Sequence, residues 1–126
     1  MSADIPIYIS KNDLNGILSL LEEPNMATDN IGALEEELAR ASVFDNHEMP
    51  QTVIAMNSTA IFRFVGEEKV YIKRLVYPVD IEGPDDISIL APVGSALIGL
   101  SKGQQLDWVM PNKKVKTIEI IDVMQQ

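Results

Sequence analysis

Cysteine is absent from this chain of 126 residues, which excludes disulfides and any thiolate-held metal. Histidine occurs once, as His47, so no histidine pair stands at metal-ligand spacing. No apolar run approaches the roughly 18 residues that a membrane span requires. The opening MSADIPIYIS lacks the basic start and apolar core of a signal peptide, so the expectation is a cytoplasmic protein without membrane contact. Basic residues are scarce: ten Lys and Arg face nineteen Asp and Glu, a net charge of -9. Binding along a nucleic-acid backbone needs a basic face, so no direct nucleic-acid binding is expected. The same charge suits a basic protein partner, or serves solubility alone.

The motifs of catalysis are missing as well. There is no phosphate-cradling glycine loop. Ser95 sits in Gly-Ser-Ala-Leu-Ile-Gly, without the serine-centred elbow of a hydrolase and with no base placed to activate it; it reads as a helix-start residue. His47, in the polar run DNHEMP, reads as a solvated linker residue. Acids abound, but no pair stands out as a raised-pKa acid beside an ionised partner. Tyr71, Tyr77 and Trp108 either line a small pocket or, as large apolar side chains usually do, fill the core. No catalytic, cofactor-binding or metal-binding residue is assigned.

What the chain does contain is periodicity, and it changes midway. Ile5 to Ile9 is a short extended piece interrupted by Pro6. Ser10 stands three residues before Asp13, a weaker form of the capping box. Leu14, Ile17, Leu18 and Leu21 lie at i, i+3, i+4 and i+7, a helical stripe. Pro24 ends that helix. Asp29 or Asn30 offers a cap to a second, with Ile31, Leu34, Leu38 and Ala41 close to a heptad seam. Two such helices joined by a short loop predict an antiparallel helical hairpin over residues 1–45, its stripes buried against each other and against the C-terminal domain.

From residue 46 a linker leads into segments of period two. Thr52–Met56, Ala60–Val65, Val70–Tyr77, Leu106–Met110 and Val115–Val123 read as strands. Turns fall at Asn57-Ser58, Gly66-Glu67-Glu68, Gly83–Asp86 and Pro111-Asn112. Between them Ile87 and Ile89 share a strand face, Pro92 breaks the run, and Val93–Leu100 reads as a short helix with Ala96, Leu97 and Leu100 on one side. Gly94 permits close backbone packing, and Gly99 or Gly103 supplies a positive φ. The fold class expected is therefore α+β: a helical hairpin and then, over residues 46–126, a mostly antiparallel sheet carrying one short helix.

Pro92, Gly94, Ala96-Leu97, Gly99 and Gly103 resemble a glycine-spaced pattern in the C-terminal domain of the Gre transcript-cleavage factors. Met56-Asn57-Ser58, Leu75-Val76-Tyr77-Pro78 and Ala91-Pro92-Val93-Gly94 resemble the regulator of nucleoside diphosphate kinase (Rnk) family, a short-fingered relative of the Gre factors. The ordered set spans roughly residues 10 to 123.

The resemblance implies an FKBP-like domain behind a coiled-coil finger, and bacterial RNA polymerase as partner at the rim of its secondary channel. It implies a monomer that competes with Gre-type factors. It also implies the contact residues: Leu90, Ala91, Pro92 and Val93 at the docking loop, and Glu22, Glu23 and Asp29 at the finger tip. Gre tip carboxylates deliver magnesium to the polymerase centre. Here a helix of about 13 residues, at ~1.5 Å each, makes a finger on the order of 20 Å, short for that task, so the expectation is a non-catalytic regulator. Gre factors commonly carry Asp-Ser before the loop proline, where this chain has Leu90-Ala91. The rival readings are a peptidyl-prolyl isomerase, which the FKBP-like fold also hosts, a transcript-cleavage factor, and a dimer built through the finger.

Overall fold

In the computed structural model, which describes residues 6–23, 31–109 and 112–126, a three-residue strand β1 (Tyr8–Ser10) runs directly into helix α1 (Lys11–Leu21). Ser10 makes the transition. Its backbone is extended (φ -77°, ψ 155°) and its Oγ accepts the Asp13 N–H at 3.1 Å, satisfying one of the helix's unpaired first-turn donors. Ile17 is fully buried, Leu14, Leu20 and Leu21 are half-buried, and Leu18 is 41% exposed. Full burial of an isoleucine is worth about 1.5–3 kcal/mol, so Ile17 is the largest single apolar contribution to the attachment of α1, with the three half-buried leucines adding to it. The expected stripe is thus corrected at Leu18, which lies off the buried face.

Helix α2 (Ile31–Arg40) buries Leu34 and Leu38 and leads to β2 (Ser42–Phe44). The expected helix stop at Pro24 and the caps Asp29 and Asn30 lie outside the described residues. Strands β1 and β2 pair in parallel, from Tyr8↔Ser42 to Ser10↔Phe44. The linker after β2 contains a 3₁₀ turn, Asn46–Glu48, and is tied to the start of α1: Lys11 Nζ lies 2.7 Å from Asp45, and Asn46 Oδ1 accepts the Asn12 N–H at 3.0 Å. The Asp45 carboxyl is held below its usual range chiefly by the hydrogen bond from Lys11.

Five further strands, β3 (Thr59–Phe64), β4 (Val70–Val76), β5 (Asp86–Ser88), β6 (Gln105–Val109) and β7 (Val115–Met124), form one sheet in the order β5-β4-β3-β7-β6. Neighbours are antiparallel except β4 and β5, which run parallel, so the sheet is mostly antiparallel, as expected. Thr52–Met56 is not a strand. It makes a single bridge, Val53↔Ser101, and exchanges backbone bonds with Gly99 and Leu100 through Ile54, too few for a ladder. Asn57 (φ 71°) and Gly66 (φ 91°) make the turns on either side of β3. Along β3, Ala60, Phe62 and Phe64 point into the core, as period two requires.

The last strand departs from strict alternation. Its register with β3 shifts between Ile61↔Asp122 and Phe62↔Ile120, so Ile121 is an extra residue. Such a bulge moves the side chains beyond it to the opposite face. This explains how Ile118, Ile120 and Val123 are all buried although the third falls on the other alternate set.

Helix α3 (Pro92–Leu97) is shorter than the expected Val93–Leu100, because Ile98 leaves helical backbone (ψ 130°) and Gly99 turns at φ 82°. It lies close on the sheet through Gly94: a Cβ there would collide with the Ser88 carbonyl oxygen and stand 3.4 Å from Leu75 Cδ1.

One hydrophobic cluster unites the chain. It includes Ile7, Ile9, Ile17, Leu34 and Leu38 together with Ile54, Leu75, Leu97, Ile118 and Ile120. Across the join, the buried Asp13 accepts the Met56 N–H at 3.0 Å. Burial pushes its carboxyl above the ordinary 3.8, partly offset by the bonds from Met56 and Ser10.

The two glycines should respond oppositely to a methyl group. A Cβ added at Gly32 in α2 would meet nothing within 4 Å, so Gly32→Ala gains helix propensity and stabilises by up to about 1 kcal/mol. Gly94→Ala meets fixed backbone and destabilises by about 1–3 kcal/mol. Urea unfolding of the two variants should therefore move in opposite directions, and equal shifts would contradict the packing. For Asp13, a folded-state pKa above the unfolded value means that the folded chain takes up the proton first as pH falls. Its contribution to stability therefore rises from neutral pH down through the raised folded value toward 3.8, the reverse of a salt-bridged carboxylate. Measured by denaturation between about pH 7 and about pH 4, wild type should gain stability relative to Asp13→Asn as pH falls. Asp13→Ala, which strands the Met56 N–H, should lose about 1–3 kcal/mol at neutral pH.

Candidate functional site

Strand β5 and helix α3 are joined by a corner at residues 89–91. Its backbone is closed on itself and on the sheet. Ile89 N–H donates to Val76 O at 2.9 Å. Ser88 holds the turn twice: its Oγ accepts the Leu90 N–H at 3.0 Å, and its carbonyl accepts the Ala91 N–H at 3.0 Å. Ala91 is the extended N-cap (φ -69°, ψ 149°) and Pro92 takes the first helical position, where its fixed φ suits the helix and its missing N–H costs nothing. Ser95 N–H donates to Ala91 O at 2.8 Å, and Ser95 Oγ donates to Pro92 O at 3.0 Å. Ser95 is buried, consistent with a helix-start role.

The side chains at this corner divide by exposure. Pro92 is exposed, Ala91 and Val93 are half-buried, and Leu90 is buried at 8%. Of the four residues expected to form the docking loop, three reach solvent and Leu90 anchors the corner from below.

The tip acids are less concentrated than the sequence suggests. Glu22 and Glu23 are exposed at the end of α1, and Asp29 lies outside the described residues. Of the triplet on α2, Glu35 and Glu36 are exposed, but Glu37 is buried and its carboxylate is 2.5 Å from Arg40. The acidic face of α2 is therefore narrower than the run of three glutamates implies. Among the described residues, no three His, Cys, Asp or Glu side chains gather as a cation site. No helix among them is long and apolar enough to cross a membrane. His47 is exposed, with Glu48 3.8 Å away.

The aromatics do not line one pocket. Tyr71 stacks on Phe62 (centroids 5.4 Å apart) and Trp108 on Phe64 (5.9 Å), packing the inner face of the sheet. Tyr77 stands apart against α1. A Cβ at Gly16 would collide with its hydroxyl, and burial, with the charges of Asp13 and Asp80, raises its pKa. A cleft of about 480 Å³ opens beside it, between Gly16, Leu20 and Glu23 on α1 and Pro78 and Val79 after β4. Sequence reasoning missed this contact, though a glycine in mid-helix was its one visible sign.

Comparison with known proteins covers both halves. Residues 6–43 match the family described as the Rnk N-terminus, and residues 49–125 match the C-terminal region of the transcription elongation factors GreA/GreB. The chain is 36% identical over 122 residues to the regulator of nucleoside diphosphate kinase of Escherichia coli (strain K12), covering 95% of this chain and 90% of that protein. It is 29% identical over 94 residues to the transcription elongation factor GreA of Azorhizobium caulinodans, covering 74% of this chain and 59% of that one. A solved structure of the prokaryotic transcription elongation factor GreA/GreB from Nitrosomonas europaea superposes with a TM-score of 0.76 at 42% identity, covering 94% of this chain and 98% of that chain. The chain therefore belongs to the Rnk family, the regulators of nucleoside diphosphate kinase related to the Gre elongation factors.

Proposed function

We propose that this protein is a non-catalytic transcription regulator that docks on bacterial RNA polymerase at the rim of the secondary channel and competes there with Gre-type factors. In this reading residues 1–45 form an antiparallel helical finger and residues 46–126 an FKBP-like docking domain, acting as a cytoplasmic monomer. The observation that carries the reading is the corner at Ala91–Val93. It lies inside the segment matched to the GreA/GreB family, it exposes Pro92, and Ser88, Val76 and Ser95 hold its backbone. A preformed loop loses little conformational freedom on binding, which suits an anchor.

The finger supplies charge instead. Glu22, Glu23, Glu35 and Glu36 are exposed, and a basic channel wall would attract them in a salt-dependent manner. Excising the helices is a poor test, because Ile17, Leu34 and Leu38 belong to the common core. Surface changes separate the two roles.

Pro92→Asp should leave the circular dichroism spectrum intact and weaken binding to core RNA polymerase at least about tenfold, some 1.4 kcal/mol. Reversing Glu22, Glu23, Glu35 and Glu36 to lysine should chiefly reduce the association rate and flatten its salt dependence. Wild-type protein should inhibit Gre-stimulated transcript cleavage without stimulating cleavage itself. Normal binding by Pro92→Asp, or magnesium-dependent cleavage lost in Glu22→Ala, would overturn the reading.

A further inference from the structure

A cavity of about 470 Å³ opens where the two halves of the chain meet, and the proposed docking does not use it. Its lining comes from the first turn of α1, the linker after β2, the stretch before β3 and Gln125 near the C-terminus. Hydrogen bonds hold these walls. Gln125 Nε2 donates to the carbonyls of Gln51 and Val53, both at 2.8 Å, and Gln125 Oε1 accepts the Ser58 hydroxyl at 2.7 Å. The linker is fixed in turn through Asn46 Oδ1, which accepts the Asn12 N–H. A preformed cavity, partly apolar and carrying a few polar groups, is the usual form of a small-molecule site.

Asp13 is the one acid in the lining. It is more than nine-tenths buried and so forms the floor. A carboxylate offers about four acceptor positions, and the Met56 N–H and the Ser10 hydroxyl use only part of them. No Lys or Arg lines the cavity, and the ammonium of Lys11, two residues before Asp13, is held by Asp45 at 2.7 Å. Burying a carboxylate without a cation beside it is unfavourable. Above this floor Met49, Pro50, Ala55 and Met56 supply aliphatic wall, while Gln51 and His47 stand exposed at the rim.

The geometry points to this cavity as a binding site for a small organic cation, a guanidinium or ammonium group on a short alkyl chain. The cation would take the open acceptor positions of Asp13, a guanidinium doing so through its fork of N–H donors. The chain would lie on the methionines and Pro50, as the stems of Lys and Arg lie on apolar surface. The wider field favours the same charge, since residues 1–50 carry ten acids and two bases. An anion fits poorly. Asp13 repels it, and first-turn donors of α1 that would attract it are already spent, the Asn12 N–H on Asn46 and the Asp13 N–H on Ser10. A divalent metal ion needs more oxygen ligands of its own than one carboxylate supplies.

Amide NMR of the full chain reads this site at Met56, whose N–H is bonded to Asp13. Titration with n-propylguanidinium near neutral pH should shift the Met56 resonance saturably, with half-saturation at or below about 1 mM. The neutral n-propylurea, of the same shape, should bind at least about tenfold more weakly, and butyrate not at all. Sodium chloride at equal ionic strength should not reproduce the shift. Gln51→Glu, which adds a carboxylate at the rim, should tighten binding several-fold, and His47→Lys should weaken it several-fold; both side chains are exposed, so the fold is kept. Asp13→Asn, which retains an acceptor for the Met56 N–H, should weaken binding at least about tenfold. The proposal falls if no saturable shift occurs, if sodium chloride reproduces it, or if propylurea or butyrate binds as tightly as the guanidinium. It falls equally if the two rim variants and a folded Asp13→Asn all bind as wild type does.

Discussion

Gly99 is the seat on which the N-terminal segment rests. Its φ of 82° places its carbonyl to accept the Tyr8 N–H at 3.1 Å. The approach is close enough that a Cβ on Gly99 would stand 2.9 Å from Ile7 Cβ, and positive φ itself favours glycine. Much else is built on this contact. Ile7 O accepts the Ser42 N–H at 2.9 Å, which fixes β2 beside β1, and those strands are the bases from which α1 leaves and to which α2 returns. On the other side of the same turn, Gly99 N–H donates to Ile54 O and Ile54 N–H to Leu100 O. The stretch 99–102 is thus held from two sides, and α3, immediately before it, inherits a fixed position.

This arrangement ties the candidate surfaces to the core. The Pro92 corner is stiff because Ser88 and the packing of Gly94 leave its backbone little freedom. The helices are stiff at their base because Ile17, Leu34 and Leu38 join the common cluster and Asp13 bonds Met56 across the join. Burying an ionised carboxylate is unfavourable unless hydrogen bonds compensate, and the bonds from Met56 and Ser10 do so only in part, which is why the Asp13 pKa is raised. A protein acting by occupying space on a larger partner benefits from such a base, since little flexibility is lost on association.

Local chemistry was legible in the sequence. The Ser10 cap, the turns at Asn57 and Gly66, the positive φ offered by Gly99 or Gly103, and the break at Pro92 each arise from a property of one residue type. Period two separated the two faces of β3 without saying which one is inward. What could not be read depended on partners distant in the chain. The parallel pairing of β4 with β5, the bulge at Ile121 and the reach of Asp13 to Met56, 43 positions away, have no local signature. Leu18 completes a helical stripe by spacing, yet which neighbours a helix receives decides what it buries, and here they cover Ile17 instead. At the corner, spacing and resemblance could not reveal that Leu90 faces inward.

The most direct test of the functional account is site-directed crosslinking from the corner. A photoreactive side chain is introduced at position 92 and the protein is mixed with core RNA polymerase. The account predicts a crosslink to the rim of the secondary channel that an excess of a Gre factor abolishes. Absence of that crosslink under conditions where the protein binds polymerase, or a crosslink that persists undiminished with the Gre factor present, would contradict it.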